Sequence, residues 1–325
     1  MTALLTKGWI KIAQAKGIHD QPERRRLHQA FIPRAGGISI ALVMVLVSML
    51  IYSSSSDINN YWVLIITGIV LFSVLGFLDD LIPIPSGRKL FLHLFAASII
   101  FLVCMFYLSM SLLVAAVIAF AYLLFVNIWN FMDGSNGMIG MQSLLFVIGF
   151  LALSRFTNES YYYALALAAT CLGFLPFNFP VARVFLGDAG SHVLGAAVVG
   201  LAFFAYFENQ CSVMEILCLL SALWIDAVLT LIRRGVLGYK LMQAHRSHLY
   251  QYLIRNGQSH AAVCSYYSAW TIFVILVIGF GRQVSEMSQR ILLSAVILMA
   301  FALHQSLRLF VLKSGNGSKK KNLKS

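Results

Sequence analysis

The sequence predicts an all-α fold, a polytopic bundle of about ten transmembrane helices. Of the 325 residues, 60% are hydrophobic and 11% are charged, and the mean hydropathy is +0.82. A soluble domain of this size could not bury so much apolar surface. The apolar residues also fall in windows of about 17 to 25, the length that a helix needs to cross the hydrocarbon core. We therefore expect one unbroken helical bundle.

The predicted spans lie near residues 36–55, 61–78, 90–108, 110–128, 137–155, 161–179, 190–207, 212–232, 261–281 and 290–312. They define a transmembrane domain over 36–312. Residues 1–35 are expected to form a cytoplasmic, interfacial segment, because their apolar runs are too short to span. Residues 313–325 are basic and are predicted to be a disordered cytoplasmic tail.

The basic residues predict the orientation. If the segment before the first span is cytoplasmic, all but three of the 24 Lys and Arg fall on the inner side, and the three outside are Arg155, Arg282 and Arg290. This agrees with the positive-inside rule. The net charge of +12 is mostly this asymmetry, and no soluble basic domain is available to hold nucleic acid. A multi-pass membrane protein is predicted, with its polar islands and C-terminus in the cytoplasm.

The first polar island is the loop before the first predicted span. It contains Arg34, Gly36 and Gly37 between polar and basic residues. Such a loop commonly contacts lipid headgroups. Paired glycines that open a helix also allow backbone N–H groups to approach a phosphate closely. Both interpretations stay open.

The second island is the pair Asp79 and Asp80, which ends a predicted span. Neighbouring helical side chains point about 100° apart, so two adjacent carboxylates do not easily grip one ion. Separate roles are more natural for them. The alternative is a solvated loop in which Arg88 and Lys89 act as counter-charges.

The third island combines amides with a carboxylate. Asn127, Asn130 and Asp133 are three residues apart, which places them on one stripe of a helix, and Gly134 then frees the backbone to turn. Oxygens without thiols suit a hard cation or a phosphate ester. Helix capping is the alternative, but capping needs only one such residue.

The fourth and fifth islands are a glycine-flanked acidic turn and a histidine-rich loop. Asp188 and Ser191 stand where a helix is predicted to begin, which is typical of an anion or metal-phosphate corner but also of a simple N-cap. His245, Arg246 and His248 favour phosphate contact over zinc, because no third zinc ligand is near.

With these residues in view, the chain resembles the polyprenyl-phosphate N-acetylhexosamine-1-phosphate transferases. That family includes enzymes that start O-antigen and teichoic-acid chains and the phospho-MurNAc-pentapeptide translocase. The resemblance covers residues 18 to 255 and rests on motifs in order: Asp20-x-Pro22 with His28, Pro33-Arg34-x-Gly36-Gly37, Asp79-Asp80, Asn127-x-x-Asn130-x-x-Asp133-Gly134, Asn178 with Arg183, Gly187-Asp188-x-Gly190-Ser191, and His245 to His248.

The resemblance implies a Mg²⁺-dependent reaction, for which Mn²⁺ is also compatible. A UDP-N-acetylhexosamine would give its sugar-1-phosphate to undecaprenyl phosphate and release UMP. Catalytic roles are implied for Asp79, Asp80, Asp133 and Asp188, with the metal on Asp188 and on Asp79 or Asp80. Substrate contacts are implied for Arg34, Gly36, Gly37, Lys89, Asn127, Asn130, Gly134, Asn178, Phe185, Ser191, His245, Arg246 and His248, with uracil stacked on Phe185.

Departures from the family pattern carry further expectations. Family members usually have one more span before the segment that matches 6–22, so a truncated or misassigned start is expected here. The segment His245–His248 replaces the consecutive histidines of the peptidoglycan enzyme and is closer to the O-antigen branch. Membrane lipids are expected partners, and a homodimer is left open. A secondary transporter is the rival class; it would place half-helices near the bilayer midplane and not polar clusters at one edge. A scaffold subunit is a third class, but it would not need the amide and carboxylate stripe.

Overall fold

The computed structural model describes residues 1–20, 32–54, 61–154, 158–240 and 245–321. These residues are almost entirely helical, which confirms the predicted all-α class. The chain divides into two compact units, 1–212 and 213–325, where the sequence predicted one unbroken bundle. The division follows a short turn in an otherwise apolar stretch, and hydropathy alone does not mark it.

The first unit contains eight helices and one pair of two-residue strands among its described residues. The strands β1 (His19–Asp20) and β2 (Ile32–Pro33) pair antiparallel. The helices are α1 (Thr2–Lys16), α2 (Ile38–Ser54), α3 (Tyr61–Leu81), α4 (Ser86–Leu102, continued by a π-helical turn Val103–Tyr107), α5 (Leu112–Met132), α6 (Met138–Leu153), α7 (Asn158–Asn178) and α8 (Gly187–Phe207).

Helix α8 forms the centre of this unit. Of its apolar window, 83% is buried inside the protein, against 28% to 44% in the other candidate spans. Small residues make this possible, because glycines let neighbouring backbones approach. A Cβ on Gly195 would lie 3.0 Å from Val126 Cα on α5, and one on Gly200 would lie 3.1 Å from the Ile65 side chain on α3. The amino end of α8 is therefore surrounded by other helices.

The second unit consists of α9 (Val213–Leu219), α10 (Ser221–Val236), α11 (Leu249–Arg255), α12 (His260–Gly281) and α13 (Glu286–Lys321). Helices α9 and α10 are bent by 81° at Leu220, so the predicted span near 212–232 is a bent helix pair. Trp224 Nε1 donates to Leu217 O across the bend at 2.8 Å. The indole N–H thus supplies a hydrogen-bond donor to a backbone carbonyl next to the break, where helical hydrogen bonds are interrupted.

Each of the ten predicted windows coincides with a helix or a bent helix pair. Within the described ranges, seven helices are long and apolar enough to cross a membrane, and the bent pair gives an eighth. The windows at 36–55 and 137–155 form the shorter apolar helices α2 and α6. A multi-pass membrane protein follows from these lengths and compositions.

Both ends of the chain differ from or extend the predictions. Helix α1 packs on the bundle, with Thr6 Oγ1 2.7 Å from Ser39 Oγ of α2. Helix α13 extends to Lys321, into the segment that was predicted to be disordered from 313. Each residue added to an existing helix gains a backbone hydrogen bond, which favours such extension. Pro22 and His28 of the first motif lie outside the described residues.

Candidate active site

Four helix ends meet at one end of the first unit. The carboxyl ends of α3 and α5 lie beside the amino ends of α4 and α8. Asp79 and Asp80 end α3, Lys89 begins α4, and Asp188 begins α8. The structure thus brings together three of the polar islands that are separate in the sequence.

Lys89 bridges two carboxylates. Its Nζ lies 2.7 Å from Asp79 Oδ2 and also contacts Asp188 Oδ2. Asp79 Oδ1 additionally accepts the Ile84 N–H at 2.6 Å, which holds the loop after α3. All three charged side chains remain partly exposed. The bridge is therefore accessible to solvent or to a ligand.

Asp80 holds the amino end of α8 in place. Its two oxygens accept the N–H groups of Asp188 (3.1 Å) and Ala189 (2.9 Å), and the residue is 7% exposed. A carboxylate at this end satisfies helical N–H donors and interacts favourably with the helix dipole. Both oxygens thus hold the start of α8, so the structure shows a positioning role for Asp80, and its predicted catalytic and metal-binding roles stay predictions.

The paired glycines also serve packing. Gly36 N–H donates to Phe185 O (2.9 Å) and Gly37 N–H donates to Leu186 O (2.8 Å). A Cβ on Gly37 would lie 2.1 Å from Gly190 Cα, so the two helix starts touch backbone to backbone. Because both donors are already satisfied, the predicted phosphate contact of these N–H groups is not supported.

The amide stripe faces the carboxylates. The terminal atoms of the Asn130 amide lie 3.3 and 3.4 Å from the two oxygens of the Asp188 carboxylate. Asn127 lies one turn earlier, where Oδ1 is 3.2 Å from His93 Nδ1 and Nδ2 donates to Leu123 O at 2.6 Å. Asn130 is therefore part of the cluster around Asp188, whereas Asn127 lies behind it.

Asp133 has no positively charged partner at ion-pair distance among the described residues. It caps the end of α5, is partly exposed and has no side-chain hydrogen bond to the described residues. Burial raises its pKa well above the usual range, and the negative charges of Asp188 and Asp80 raise the pKa further. A carboxylate that lacks a counter-charge among other carboxylates is a site where a cation would be stabilised.

Several predicted contact residues are used within the fold. Asn178 Oδ1 accepts the Gly137 N–H (2.7 Å) and its Nδ2 donates to Val184 O (2.9 Å), so its amide ties the α5–α6 corner to the loop before α8. Ser191 is fully buried and its hydroxyl donates to Asp188 O (3.4 Å). Both residues position the site. Phe185 is partly exposed and Gly134 lies in the turn after Asp133, and their predicted substrate contacts stay predictions.

Arg34 adds positive charge on the α2 side of the site. Its guanidinium interacts electrostatically with Asp80. The backbone of Arg34 is fixed by Trp9 of α1, whose Nε1 donates to Arg34 O at 2.8 Å. The N-terminal helix therefore helps to place a basic residue that was predicted to bind substrate.

The carboxylates fit a magnesium ion that is shared with a substrate. Among the described residues, no three His, Cys, Asp or Glu are grouped to hold a metal. Mg²⁺, however, is usually held by one or two carboxylates together with substrate phosphates and water. Asp79 and Asp188, which share one cation in the form of Lys89, supply two hard oxygen donors at one point. Their chemistry suits Mg²⁺ or Mn²⁺.

The histidine-rich segment belongs to the second unit. His245 Nδ1 lies 3.0 Å from Ser247 Oγ, and the rings of His245 and His248 are 5.0 Å apart. Burial, together with the charges of His248 and Arg234, lowers the pKa of His245 to about 4. His245 is therefore neutral near pH 7. The predicted phosphate contacts of His245, Arg246 and His248 stay predictions.

Comparison with known proteins gives a family match to this chain. The model of glycosyl transferase family 4 matches residues 61–206, a stretch that contains Asp79, Lys89, Asn130 and Asp188. The predicted family resemblance is confirmed. The glycosyl transferase family 4 match ends before the second unit, so it covers the carboxylate cluster and not the histidine-rich segment.

Curated relatives extend over most of the chain. A Bacillus subtilis protein named probable undecaprenyl-phosphate N-acetylglucosaminyl 1-phosphate transferase is 27% identical over 303 residues, 88% of this chain and 81% of that protein. A phospho-N-acetylmuramoyl-pentapeptide-transferase of Carboxydothermus hydrogenoformans is 27% identical over 305 residues, 84% and 91% of the two chains. A decaprenyl-phosphate N-acetylglucosaminephosphotransferase of Mycobacterium tuberculosis is 26% identical over 321 residues, 84% and 77%.

Sequence reasoning missed two residues next to the site, His93 and His192. Each is an isolated polar residue inside an apolar helix, and both are buried. The signal that could have found them is their depth, because an imidazole inside a transmembrane helix is costly without a partner.

Proposed function

We propose that this protein transfers an N-acetylhexosamine-1-phosphate from a UDP-sugar to undecaprenyl phosphate. An oxygen of the acceptor phosphate attacks the sugar-linked phosphorus. The bond from that phosphorus to the bridging oxygen breaks, and the bridging oxygen leaves with UMP. The products are undecaprenyl-diphospho-sugar and UMP, and the lipid product begins an O-antigen-like surface polysaccharide.

The observation that carries this proposal is the bridge Asp79–Lys89–Asp188 at the meeting point of four helix ends. Phosphoryl transfer mainly requires that reactants be positioned and that the charge on phosphate oxygens be neutralised. A partly exposed cluster at the end of a transmembrane bundle can receive a lipid phosphate and a water-soluble nucleotide together. Relatives named as sugar-1-phosphate transferases support this use of the cluster.

Each residue of the cluster has a role in the proposed reaction. Asp188 and Asp79 would hold a Mg²⁺ or Mn²⁺ ion, which when bound neutralises charge on phosphate oxygens. Lys89 moves from the carboxylates to a phosphate oxygen, with its ammonium group as a point charge. Asn130 keeps Asp188 oriented by donating a hydrogen bond. Asp133, at the edge of the cluster, orients the donor or the acceptor phosphate.

The proposal places the site at the cytoplasmic face of a bacterial inner membrane. Arg34, Arg88, Lys89 and Arg183 lie at or next to the helix ends that form the site, and basic residues favour the cytoplasmic side. UDP-sugars are available on that side. The transporter alternative has no support among the named relatives.

The direct test is UMP release by the purified protein in detergent or nanodiscs. Undecaprenyl phosphate, Mg²⁺ and a panel of UDP-N-acetylhexosamines are supplied, and both UMP and the lipid product are followed. We expect UMP and undecaprenyl-diphospho-sugar in equal amounts with one sugar preferred. UMP formed without lipid product, or no turnover with any UDP-sugar, would contradict the proposal.

A labelled-UMP exchange experiment distinguishes direct transfer from a covalent aspartyl-phosphate. Direct attack requires both substrates together, whereas a covalent intermediate allows UMP to exchange into UDP-sugar without the lipid. We expect no exchange of labelled UMP until undecaprenyl phosphate or its product is present. Exchange at a catalytic rate in lipid-free conditions would show a covalent path.

A further inference from the structure

Two buried histidines lie directly behind the amide stripe, and the reaction proposed above does not use them. His192 is one turn after Asp188 on α8, and His93 is one turn after Lys89 on α4. Their relative exposures are 0% and 1%, and the rings meet edge to face with centroids 4.8 Å apart. Imidazoles at such depth require hydrogen-bond partners, and their partners here are Asn130 and Asn127.

Lys89 determines the orientation of the Asn130 amide. One terminal atom of this amide lies 2.9 Å from Lys89 Nζ, and an ammonium group can only donate, so that atom must be Oδ1. In this orientation Nδ2 donates to Asp188 Oδ1 at 3.3 Å. Amide orientation is assigned from such networks, and here a single obligatory donor decides it.

The orientation of Asn130 then determines the tautomer of His192. Asn130 Oδ1 also lies 3.1 Å from His192 Nε2, and because Oδ1 can only accept, Nε2 must carry the proton. The other ring nitrogen, Nδ1, makes no well-aligned hydrogen bond to the described residues, although the backbone of Phe72 interacts with the ring. It lies against Gly76, where a Cβ would be 2.5 Å from Nδ1, so the missing side chain leaves the space that this ring needs.

His93 has the opposite tautomer by the same reasoning. The Nδ2 group of Asn127 donates to Leu123 O, which turns Oδ1 toward His93 Nδ1 at 3.2 Å. His93 must therefore carry its proton on Nδ1, and its buried Nε2 makes no hydrogen bond to the described residues. Two adjacent imidazoles thus donate in different directions, each to one amide oxygen.

We infer that His192 and His93 are positioning residues, which hold the amide oxygens of Asn130 and Asn127 and so direct the Asn130 N–H group at Asp188. Because of this arrangement, Asn130 acts on Asp188 as a hydrogen-bond donor and not as an oxygen ligand for a cation. The geometric part of this inference stands alone, and its effect on turnover rests on the proposed function.

The first experiment reads the tautomers without an activity assay. The protein is labelled with ¹⁵N-histidine in nanodiscs, and ring resonances are assigned by comparison with His192→Gln and His93→Gln samples. We expect His192 as the Nε2–H tautomer and His93 as the Nδ1–H tautomer. A His192 ring protonated on Nδ1 alone, or the same tautomer for both rings, would overturn the inference whatever reaction the protein catalyses.

The second experiment uses a matched pair of variants. In His192→Gln the side-chain amide reaches the position of Nε2 and can still donate to Asn130, whereas the shorter amide of His192→Asn reaches only the position of Nδ1. We expect kcat of the Gln variant within about twofold of wild type and a loss of roughly tenfold in the Asn variant, the size of one lost buried hydrogen bond. Equal losses in both variants would contradict the inference.

Coupling to Asn130 separates positioning from a general structural effect. In an Asn130→Ala background, His192→Asn should lower kcat by less than about twofold, because residues that act through one another are not additive. The same tenfold loss in both backgrounds would show that His192 acts elsewhere. If the wild type itself releases no UMP, the proposed function fails, and the tautomer experiment still decides the inference.

Discussion

Two carboxylate sites in apolar helices, one partly exposed and one buried, can be compared in this protein. In the first unit, Asp79 and Asp188 are 13% and 24% exposed and share one lysine, and the nearby Asp133 has no ion pair with the described residues. In the second unit, Asp226 is 1% exposed and is surrounded by donors. The partners of Asp226 include the N–H groups of Leu249 (2.8 Å) and Tyr250 (3.3 Å) and the hydroxyl of Tyr267 (2.6 Å).

The difference between the two sites shows how to decide whether an acidic residue in a transmembrane helix is structural or functional. The first site is the more exposed of the two. The balance of donors distinguishes them further. Asp226 has a donor for each lone pair and ties α11 to α10 and α12, whereas the first site has more carboxylates than cations among the described residues. An acid whose charge is fully matched stabilises the fold, and an acid cluster that lacks positive charge is suited to bind it.

The sharpest test of this comparison is Asp188→Asn. Removing one carboxylate from the proposed cation site should lower UMP release by at least about 100-fold, as does loss of a central charge-stabilising group in other enzymes. The asparagine retains the side-chain shape, so the thermal midpoint in detergent should change little. Undiminished turnover in a correctly inserted variant would remove Asp188 from the reaction.

For Asp226→Leu we expect, in contrast, a large loss of stability. It leaves the buried donors of Leu249, Tyr250 and Tyr267 without their acceptor, and we expect a loss of about 3 to 5 kcal/mol in unfolding free energy. Denaturation of the purified protein measures this. Asp226→Asn, which keeps one acceptor oxygen, is the matched control and should lose less. A Leu variant as stable as wild type would break the distinction between the two sites.

Lys89→Met tests the first site by removing its shared positive charge. Without the ammonium group, Asp79 and Asp188 lose their shared counter-charge and should attract a divalent cation more strongly. We expect a lower Mg²⁺ concentration for half-maximal binding, measured by calorimetry without substrate, together with a reduced kcat because the phosphate contact is lost. An unchanged or weaker Mg²⁺ affinity would show that Lys89 and the cation do not compete.

Asp133→Asn tests the unpaired charge and has the smallest expected effect on stability. The pKa of Asp133 is raised in the folded protein, so the folded state holds its proton more tightly than the unfolded state does. Stability from this group is complete below the ordinary carboxyl pKa and is lost as the pH rises through the raised value. The Asn variant should therefore melt slightly higher than wild type at pH 8, with a difference that vanishes in acid.

The activity of the same variant follows from the same charge. If ionised Asp133 orients a phosphate through the cation, wild-type activity should fall as the pH drops through the raised pKa, and the variant should lack this limb. A pH profile of kcat for both proteins measures it. Equal profiles would assign Asp133 to folding alone.

How well each feature could be predicted depends on how clearly the residue pattern of the sequence encodes it. All ten apolar windows correspond to helices, because length and hydropathy are sufficient for that. The bend at Leu220 could not be predicted, since the residues on both sides are equally apolar. The family resemblance implied a shared site for Asp79 and Asp188, and the structure brings Asp79, Asn130 and Asp188 together.

The roles within the site were harder to predict. Asp79 and Asp80 are adjacent in sequence, and only their three-dimensional neighbours show that one faces the cluster while the other caps α8. Gly36 and Gly37 suggested phosphate binding, yet the carbonyls of Phe185 and Leu186 take up their N–H groups. Asn127 and Asn130 were recognised, but the histidines that orient them carry no local motif.

Lys89 has a consequence for how such a chain is made. Because its ammonium group is covalently part of the chain, Asp79 and Asp188 carry a counter-ion from the moment α3, α4 and α8 assemble. The acidic centre can therefore form during folding before any soluble ion arrives. It can also survive the interval between release of one product and loading of the next substrates without its like charges driving the helices apart.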